Sequence, residues 1–468
     1  MSNFTPFTEL NEQIHGRLEI LLPALETDSF NGLKLVQHAL SYVYSGHSNK
    51  LFPNRLHWPF PLLKAYYTFR GIRHKIPARP HLNAVVFKDS GRMALNKNEE
   101  PVSIYFSNFL GLLAKKSYSH LLAEEAPLDA PGQIHLRQLS SLRQRPLEPA
   151  EIKVLRDIIR LVDQLRRAGM ATSELQYVSS VCHVFFEDFH FYYQLLSGQK
   201  VQRLVLTCHY HQEGLIAAAK LLGIEVVEAQ HGLIATSDLY YVYPDFVEKI
   251  SADCLFADKV LLYGNYWQKL LLQGAEYHKN QLHVVGDYVY KKQAISELKD
   301  IPKEDAIFIG SQKNLADEYL GYIRHLHKTL RTSNTAWKII VKTHPLEKEV
   351  AKYQELAALE GVEIHGNEAD LSRLLARVRI QISVYSTTFF DALGLGVVNM
   401  SLQGYTPFAD YAEEMVREGI ALPLQFDDNP VEQLKKREKS VLTRDQVYAP
   451  LNKQLIQELL QPSEKAAR

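Results

Sequence analysis

The chain has 468 residues, a formal net charge of zero and 46% hydrophobic residues, so it has room for two or three domains. Zero net charge gives no general argument for nucleic-acid binding, and no apolar run approaches the roughly 20 residues that cross a bilayer. Its cysteines, Cys182, Cys208 and Cys254, form no CxxC pair, which favours a reducing cytoplasm over a disulfide scaffold.

Two short amphipathic helices are predicted at 8–27 and 31–45. No acidic residue occurs between Asp28 and Asp89, whereas the same stretch contains nine lysines or arginines and several aromatic rings. Residues 50–88 therefore suit an anionic membrane surface, which would make the protein cytoplasmic and peripheral on the inner face of the cell membrane. The alternatives are a solvated basic face, or ring stacking on single-stranded nucleic acid. Since the rest of the chain is not basic, we expect no nucleic-acid partner.

The pattern of residues 81–87 predicts a strand, and that of 102–125 predicts a strand leading into a helix. Four prolines between residues 126 and 149 indicate a linker. Regular apolar spacing then predicts helices at 151–169 and 173–196, the second of which has an aromatic stripe typical of a core.

A strand–loop–helix–strand–loop pattern spans residues 201–232 and predicts one βαβ unit of a parallel sheet. Such sheets bind ligands at the carboxyl ends of their strands, where the two loops place titratable side chains. His231, His209 and Glu213 are therefore the candidate proton acceptors, with Glu228 and Gln230 as residues that orient them. No third ligand accompanies His209 and His211, so no metal site is expected.

Strands at 257–264 and 281–287 complete a first lobe, and the βα pattern then restarts. Strands are predicted at 306–312, 337–345, 362–366, 379–388 and 397–402, with helices at 314–331, 349–361, 370–378 and 389–396. The pattern predicts a second parallel sheet. We therefore expect a first lobe at 1–295, a second lobe at 296–425, and carboxy-terminal helices at 426–468 that pack back on the first lobe.

Hydroxyl, imidazole and glycine residues follow the strands of the second lobe, where amides and hydroxyls can meet a phosphate. Plain helix capping is the alternative for the Ser/Thr group. The candidate nucleotide-binding residues are Gly310, Ser311, Lys342, His344, Pro345, Ser386, Thr387, Thr388 and Asp391.

Three motifs carry a resemblance to a known family. KTHP at 342–345 resembles a His-Pro motif, SVYSTTFFDALGLG at 383–396 resembles a Ser/Thr motif, and EAQHG at 228–232 resembles a segment of surface-polysaccharide proteins. Together they resemble bacterial GT-B glycosyltransferases of capsule and lipopolysaccharide assembly, including sialyltransferase-like enzymes. The chain lacks their acidic Asp/Glu-Asp/Glu-Gly triplet before KTHP, and Asp391 stands where related enzymes carry Glu.

The resemblance implies a GT-B fold, an α/β architecture of two Rossmann-like lobes with parallel sheets facing a central cleft. It further implies a metal-independent transferase with no cofactor, which moves a sugar from a CMP- or UDP-linked donor to a lipid-linked glycan. Three alternatives stay open: a CDP-alditol glycerol- or ribitol-phosphate transferase, a sugar-nucleotide epimerase, and a non-catalytic glycan-binding relative.

Overall fold

The computed structural model describes most of the chain. The described residues are 7–45, 60–70, 80–89, 93–95, 101–114, 117–122, 133–135, 145–251, 254–289, 295–298, 300–312, 315–333, 335–344, 347, 350–366, 368–405, 409–434 and 442–461. They fall into two compact units. The amino-terminal unit comprises Thr8–Tyr290 with Ala449–Arg468, and the carboxy-terminal unit is formed by Lys291–Tyr448.

The amino-terminal unit is built on a parallel sheet of seven strands among the described residues, in the order β5-β4-β1-β6-β7-β8-β9. Its strands pair in parallel throughout, while β2 and β3 form a separate antiparallel pair. The strands are β1 Val85–Asp89, β2 Met93–Leu95, β3 Pro101–Ser103, β4 Tyr118–Leu122, β5 Gln133–His135, β6 Arg203–Leu206, β7 Glu225–Ala229, β8 Lys259–Leu262 and β9 Leu282–Val284.

Helices surround this sheet, and α6 is the longest of those described, with 25 residues. Its aromatic stripe is buried, as the sequence predicted, because α6 packs between α2, α5 and α7. The helices are α1 Phe7–Leu21, α2 Leu33–Tyr44, α3 Phe60–Arg70, α4 Ser107–Leu110, α5 Pro149–Arg167, α6 Thr172–Leu196, α7 Glu213–Leu221 and α8 Asn265–Leu271.

Two sequence predictions in this unit were wrong in detail. The helix expected at 8–27 ends at Leu21, because Pro23 lies in a 3-10 turn that follows it. The stretch 102–125 contains the short helix α4 and then the strand β4 in place of a long helix. Residues 118–122 form a strand because they pair with β1, with His120 opposite Phe87. The local spacing of apolar residues does not encode this contact.

The carboxy-terminal unit contains a six-stranded parallel sheet among the described residues, in the order β12-β11-β10-β13-β14-β15. Counted along the chain, this is the 3-2-1-4-5-6 order of the Rossmann fold, with its switch point between β10 and β13. The strands are β10 Ala306–Gly310, β11 Lys338–Lys342, β12 Val362–His365, β13 Ile380–Ser383, β14 Val398–Leu402 and β15 Leu422–Leu424.

Both faces of this second sheet are covered. Ile307 and Ile309 pack in the cluster that includes Tyr319, whereas Phe308, which points the opposite way, packs against Leu374. Burial on both faces explains the nearly continuous apolar strands. The helices of this unit are α9 Ile295–Leu298, α10 Ala316–Thr332, α11 Val350–Glu355, α12 Leu371–Arg377, α13 Thr388–Asp391, α14 Ala409–Arg417, α15 Pro430–Leu434 and α16 Arg444–Val447.

The predicted helix 389–396 is shorter than expected. It ends at Asp391, and Gly394 and Gly396 follow with φ of 81° and 69°, a left-handed conformation that glycine adopts without strain. Beyond the strand predicted at 397–402, the sheet gains one further strand, β15, for which no strand was predicted from the sequence.

After the carboxy-terminal unit, the chain returns to the amino-terminal one. The backbone amide of Ala449 donates to the Tyr263 carbonyl at 2.8 Å, and that of Asn452 donates to Val285 at the same distance. The last helix, α17 Lys453–Leu460, follows, and the Gln457 side chain donates to the carbonyl of Leu112. Among the described helices, none is both long enough and apolar enough to span a membrane.

Candidate functional site

The loops after β6 and β7 are neighbours at the carboxyl edge of the amino-terminal sheet. The two strands pair in parallel, with Leu206 opposite Glu228, so the residues that follow each strand meet at one edge. The amino-terminal sheet also has the Rossmann order, with its switch point between β1 and β6. The convergence predicted from the sequence is therefore present, and it brings together His209, Glu228 and His231.

His209 and Glu228 form a fully buried ion pair. His209 Nδ1 lies 2.5 Å from Glu228 Oε2, and His209 Nε2 lies 2.9 Å from the carbonyl oxygen of Tyr240. Both ring nitrogens therefore have an oxygen atom within hydrogen-bond distance. Tyr241 donates its hydroxyl to the other oxygen of Glu228. Burial alone would raise the pKa of Glu228, but the interactions with His209, Tyr241 and His231 together outweigh it and lower the pKa.

This geometry suits His209 for holding the loop after β6 against Glu228 and the Tyr240 backbone. Both of its nitrogens already have protein oxygens as partners and its side chain is inaccessible, so a substrate hydroxyl cannot reach it. A general base must reach the proton it removes.

Glu213 is the first residue of α7 and is likewise buried, at 6% exposure. Its Oε1 accepts the backbone amide of His211 at 3.1 Å and lies 3.9 Å from Lys34 Nζ. Lys34 comes from α2 and donates to the carbonyls of His209 and Leu255. Burial lowers the pKa of Lys34, against the raising influence of Glu213 and Glu228. Glu213 thus holds the loop after β6 in place.

His231 is half-buried and keeps partial access to solvent. Its Nε2 lies 3.1 Å from the hydroxyl of Tyr210. Gln230 fixes the turn that carries it, because its Oε1 accepts from the Tyr263 amide and its Nε2 donates to the Gly232 carbonyl. Of the three proton acceptors predicted from the sequence, His231 is the one whose side chain keeps partial access to solvent.

His211 has a φ of 58°, the one left-handed non-glycine residue in the described part of the chain. Such a conformation costs of the order of 1 kcal/mol or more and persists where neighbouring contacts enforce it. Here its ring contacts His38, with centroids 4.2 Å apart, and its amide is held by Glu213. The strained turn immediately follows Tyr210.

In the carboxy-terminal unit, the loops after β10 and β11 are bonded to each other. Ser311 is buried, its hydroxyl accepts from the His344 amide at 2.9 Å, and it donates to Glu347 Oε2 at 3.2 Å. Ser311 therefore shapes the turn that carries His344, whose side chain is half-buried at this edge. Gly310 ends β10 in an extended conformation, and the predicted ligand Pro345 lies outside the described residues.

The Ser/Thr motif follows β13, on the other side of β10 from β11. Ser386 is half-buried and accepts the Thr388 amide at 3.2 Å, whereas Thr387 is exposed. The hydroxyl of Thr388 accepts from the buried Gln381 and is turned inward. Ser386 and Thr387 are thus the members of the motif that remain accessible to a ligand.

Lys342 and Asp391 have protein partners of their own. Lys342 Nζ donates to the Gly366 carbonyl at 2.8 Å, beyond the end of β12, and burial lowers its pKa although Glu368 opposes the change. Asp391 ends α13, and its Oδ1 lies 3.5 Å from the hydroxyl of Tyr448. These contacts direct the side chains of Lys342 and Asp391 away from the residues at the switch point.

Tyr319, a residue that the sequence did not indicate as functional, holds the switch point through three hydrogen bonds. Its hydroxyl lies 3.0 Å from Ser383 Oγ, accepts from the Val384 amide at 2.9 Å, and donates to Gln312 Oε1 at 2.8 Å. It thus joins the end of β13 to the loop after β10. Its position on the apolar face of α10 gave no signal beyond core packing.

Two polar clusters therefore stand at the carboxyl edges of two separate sheets. Within the residues that the structure describes, no group of three or more His, Cys, Asp or Glu side chains could hold a metal ion. Two units with parallel sheets in the Rossmann order define an α/β protein of the GT-B-like, two-Rossmann class, which confirms the predicted fold class.

Comparison with known proteins gives only distant similarity. No family model and no curated protein matches the chain. It is similar to the UDP-GlcNAc 2-epimerase from Methanocaldococcus jannaschii, with a TM-score of 0.47 and 11% identity over 80% of this chain and 99% of that one. It is also similar to the UDP-GlcNAc 2-epimerase from Neisseria meningitidis, with a TM-score of 0.47 and 12% identity over 81% and 100%.

A third similar structure is the glycosyltransferase from Rickettsia africae, with a TM-score of 0.41 and 10% identity over 81% of this chain and 100% of that one. These TM-scores lie below 0.5, so the similarity carries no argument about what the chain does.

Proposed function

We propose that the chain is a glycosyltransferase that moves a sugar from a nucleotide-sugar donor to a growing surface polysaccharide. The observation that supports this most is the switch point of the carboxy-terminal sheet. There, His344 follows β11, and Ser386 and Thr387 follow β13, so these residues flank β10 on its two sides. Open α/β sheets bind their ligands at such points.

The chemistry of these residues suits a nucleotide phosphate. An imidazole, accessible hydroxyls and backbone amides all donate hydrogen bonds, and bonds to a charged oxygen are about twice as strong as neutral ones. Since α13 has only four residues, hydrogen-bond donors contribute more here than a helix dipole does.

The amino-terminal unit would supply the proton acceptor and hold the acceptor glycan. His231 supports this assignment because it is half-buried, lies at a strand end and is bonded to Tyr210. A lipid-linked acceptor would agree with the basic, aromatic stretch 50–88, of which residues 50–59 and 71–79 lie outside the described residues.

The experiment is an assay of purified protein with CMP-, CDP-, UDP- and GDP-linked sugars, with and without an acceptor glycan, followed by NMR of the products. Nucleotide release that depends on the acceptor is the expected result. Conversion of the donor sugar without an acceptor would replace transfer by epimerisation, and alditol phosphate transfer from a CDP-alditol would indicate phosphotransfer. Failure of every nucleotide and nucleotide sugar to bind would overturn the proposal.

A further inference from the structure

A cavity of about 670 Å3 lies in the amino-terminal unit beside the second half of α7. The segment between α1 and α2 forms one wall, and residues 249–255 contribute to another. Because α7 begins at Glu213, at the candidate site, the cavity lies toward the opposite end of this helix. Its volume falls within the range of about 300–1,000 Å3 that is typical of small-molecule sites.

The wall of this cavity is partly apolar and partly charged. Leu22, Leu221 and Ile250 are among its apolar side chains. Four charged side chains, two acids and two bases, also line it: Glu26, Asp28, Lys220 and Lys249. Such a mixture of an apolar surface and a few polar groups is what fixes the orientation of a small molecule in its site.

Two of the four charges already have partners outside the cavity. Asp28 Oδ1 lies 3.3 Å from the Arg160 guanidinium, and Lys220 Nζ lies 2.6 Å from Asp258 Oδ1. These two side chains are therefore engaged in the structure of the wall.

Glu26 and Lys249 differ from that pair. Both are exposed, and neither side chain forms an ion pair or a hydrogen bond with another residue in the part of the chain that the structure describes. They also do not pair with each other, although both line the same cavity. Two opposite charges held apart in this way leave space between them for a ligand that carries both charges.

Asn31 adds a buried polar group to the same wall, because it lines the cavity and is only 4% exposed. Its Oδ1 accepts the backbone amide of Leu33 at 2.9 Å. A backbone amide can only donate, so this bond identifies the oxygen and leaves the amide nitrogen as the other end. Within the described residues, that nitrogen has no hydrogen-bond partner. An oxygen of a ligand would satisfy it and would remove the cost of an unpaired buried donor.

We propose that this cavity binds an α-amino acid with an apolar side chain, a small zwitterion. Its ammonium group pairs with Glu26, and its carboxylate pairs with Lys249. The apolar side chain covers Leu221 and Ile250, and Asn31 donates to an oxygen of the ligand. Because the ligand has no net charge, it matches a wall on which the two unpaired charges also cancel.

The cavity is connected to the loop after β6 through Lys34. Leu255 lines the cavity, and its carbonyl accepts from Lys34 Nζ at 2.9 Å. The same Nζ donates to the carbonyl of His209 at 3.2 Å. A ligand that stabilises the wall at Leu255 should therefore slow the local opening of the loop that carries His209.

The test is isothermal titration calorimetry of the full chain with L-leucine, L-isoleucine, L-methionine and L-phenylalanine. We expect saturable binding of at least one of them. For the amino acid that binds most tightly, the analogue that lacks the carboxylate and the analogue that lacks the amino group should each bind about tenfold or more weakly, because each loses one charged contact.

Glu26→Gln and Lys249→Met should weaken the same binding by about tenfold or more, and both replace exposed side chains that the fold does not need. Glu12→Gln and Lys279→Met are the matched controls. They remove the same charges at exposed positions that do not line the cavity, so they should bind normally. At saturation, hydrogen exchange of the amides of residues 208–213 should slow.

Absence of saturable binding by all four amino acids up to about 10 mM would overturn the inference. Equal affinity for an analogue with a single charge would overturn it as well, as would unchanged affinity in both Glu26→Gln and Lys249→Met. If the amino acid binds but exchange at residues 208–213 stays the same, the connection through Lys34 is refuted. None of these results depends on the proposed function.

Discussion

Glu276 is a buried carboxyl group in the amino-terminal unit, and replacing it by glutamine should change how stability depends on pH. Its side chain is 2% exposed, and Oε2 accepts the Tyr243 amide at 3.1 Å. Oε1 has no hydrogen-bond partner within the described residues. Burial raises the pKa of Glu276 from 4.5 to about 8, against the hydrogen bonds that lower it.

The sign and size of the effect follow from this raised pKa. Below pH 4.5 the carboxyl is protonated in both the folded and the unfolded state, so its titration costs no stability. Between pH 4.5 and about 8 the unfolded chain loses the proton while the folded protein keeps it, so the free energy of unfolding falls as pH rises. At about 1.4 kcal/mol per pH unit, the loss reaches at most about 5 kcal/mol at pH 8.

Glu276→Gln presents an oxygen to the Tyr243 amide and cannot ionise, so it should remove this loss. Urea unfolding of the variant and the wild type between pH 4.5 and 8.5 should show a difference in favour of the variant that grows with pH. Glu225→Gln is a control with the opposite sign. There, burial would raise the pKa, but Lys259 and Arg203 outweigh it and lower it, so this variant should be the less stable one at neutral pH. A constant difference between Glu276→Gln and the wild type across this range would refute the argument.

Three further predictions concern other parts of the molecule. Glu228→Gln removes the carboxylate that is bonded to the buried His209 and should lower the free energy of unfolding by about 3 kcal/mol or more, measured in urea; a loss below 1 kcal/mol would contradict a buried ion pair between the two residues. Tyr319→Phe leaves the buried Val384 amide without an acceptor, so it should lower the free energy of unfolding by about 1–3 kcal/mol in the same assay and should also weaken nucleotide binding. If neither value changed, Tyr319 would not hold the switch point in place. Charge reversal at Arg70, Arg73 and Lys75 should release the protein from vesicles containing anionic lipid, in a sedimentation assay; equal binding would end the membrane prediction.

The sequence predicted the parallel sheets well, because strands buried on both faces appear as continuous apolar runs. Val226 and Val227 in β7 and Ile307 to Ile309 in β10 are examples. It failed where distant pairing overrode local pattern. Residues 118–122 became β4 by pairing with β1, and no local spacing encodes that contact.

For the candidate site, the sequence located the loops but could not assign roles within them. His209 and His231 are the same residue type at the ends of adjacent strands, yet one is fully buried against a carboxylate and the other is half-exposed. The difference arises from Glu228 and from the Tyr240 carbonyl, which lies 31 residues away from His209 along the chain. The sequence places Tyr210 between His209 and His211, but its hydrogen bond to His231 depends on the three-dimensional path of the loop.

The central claim is that the switch point of the carboxy-terminal unit binds a nucleotide phosphate, and isothermal titration calorimetry of the variant His344→Ala tests it most directly. The titrant is whichever of CMP, CDP, UDP or GDP binds the wild type most tightly. Losing one hydrogen bond to a charged oxygen costs about 1.5–3 kcal/mol, so the dissociation constant should rise about tenfold to a hundredfold. His327→Ala, whose ring contacts the Glu360 carbonyl just before β12 begins, should bind normally. Equal affinity for the wild type and His344→Ala would contradict the account.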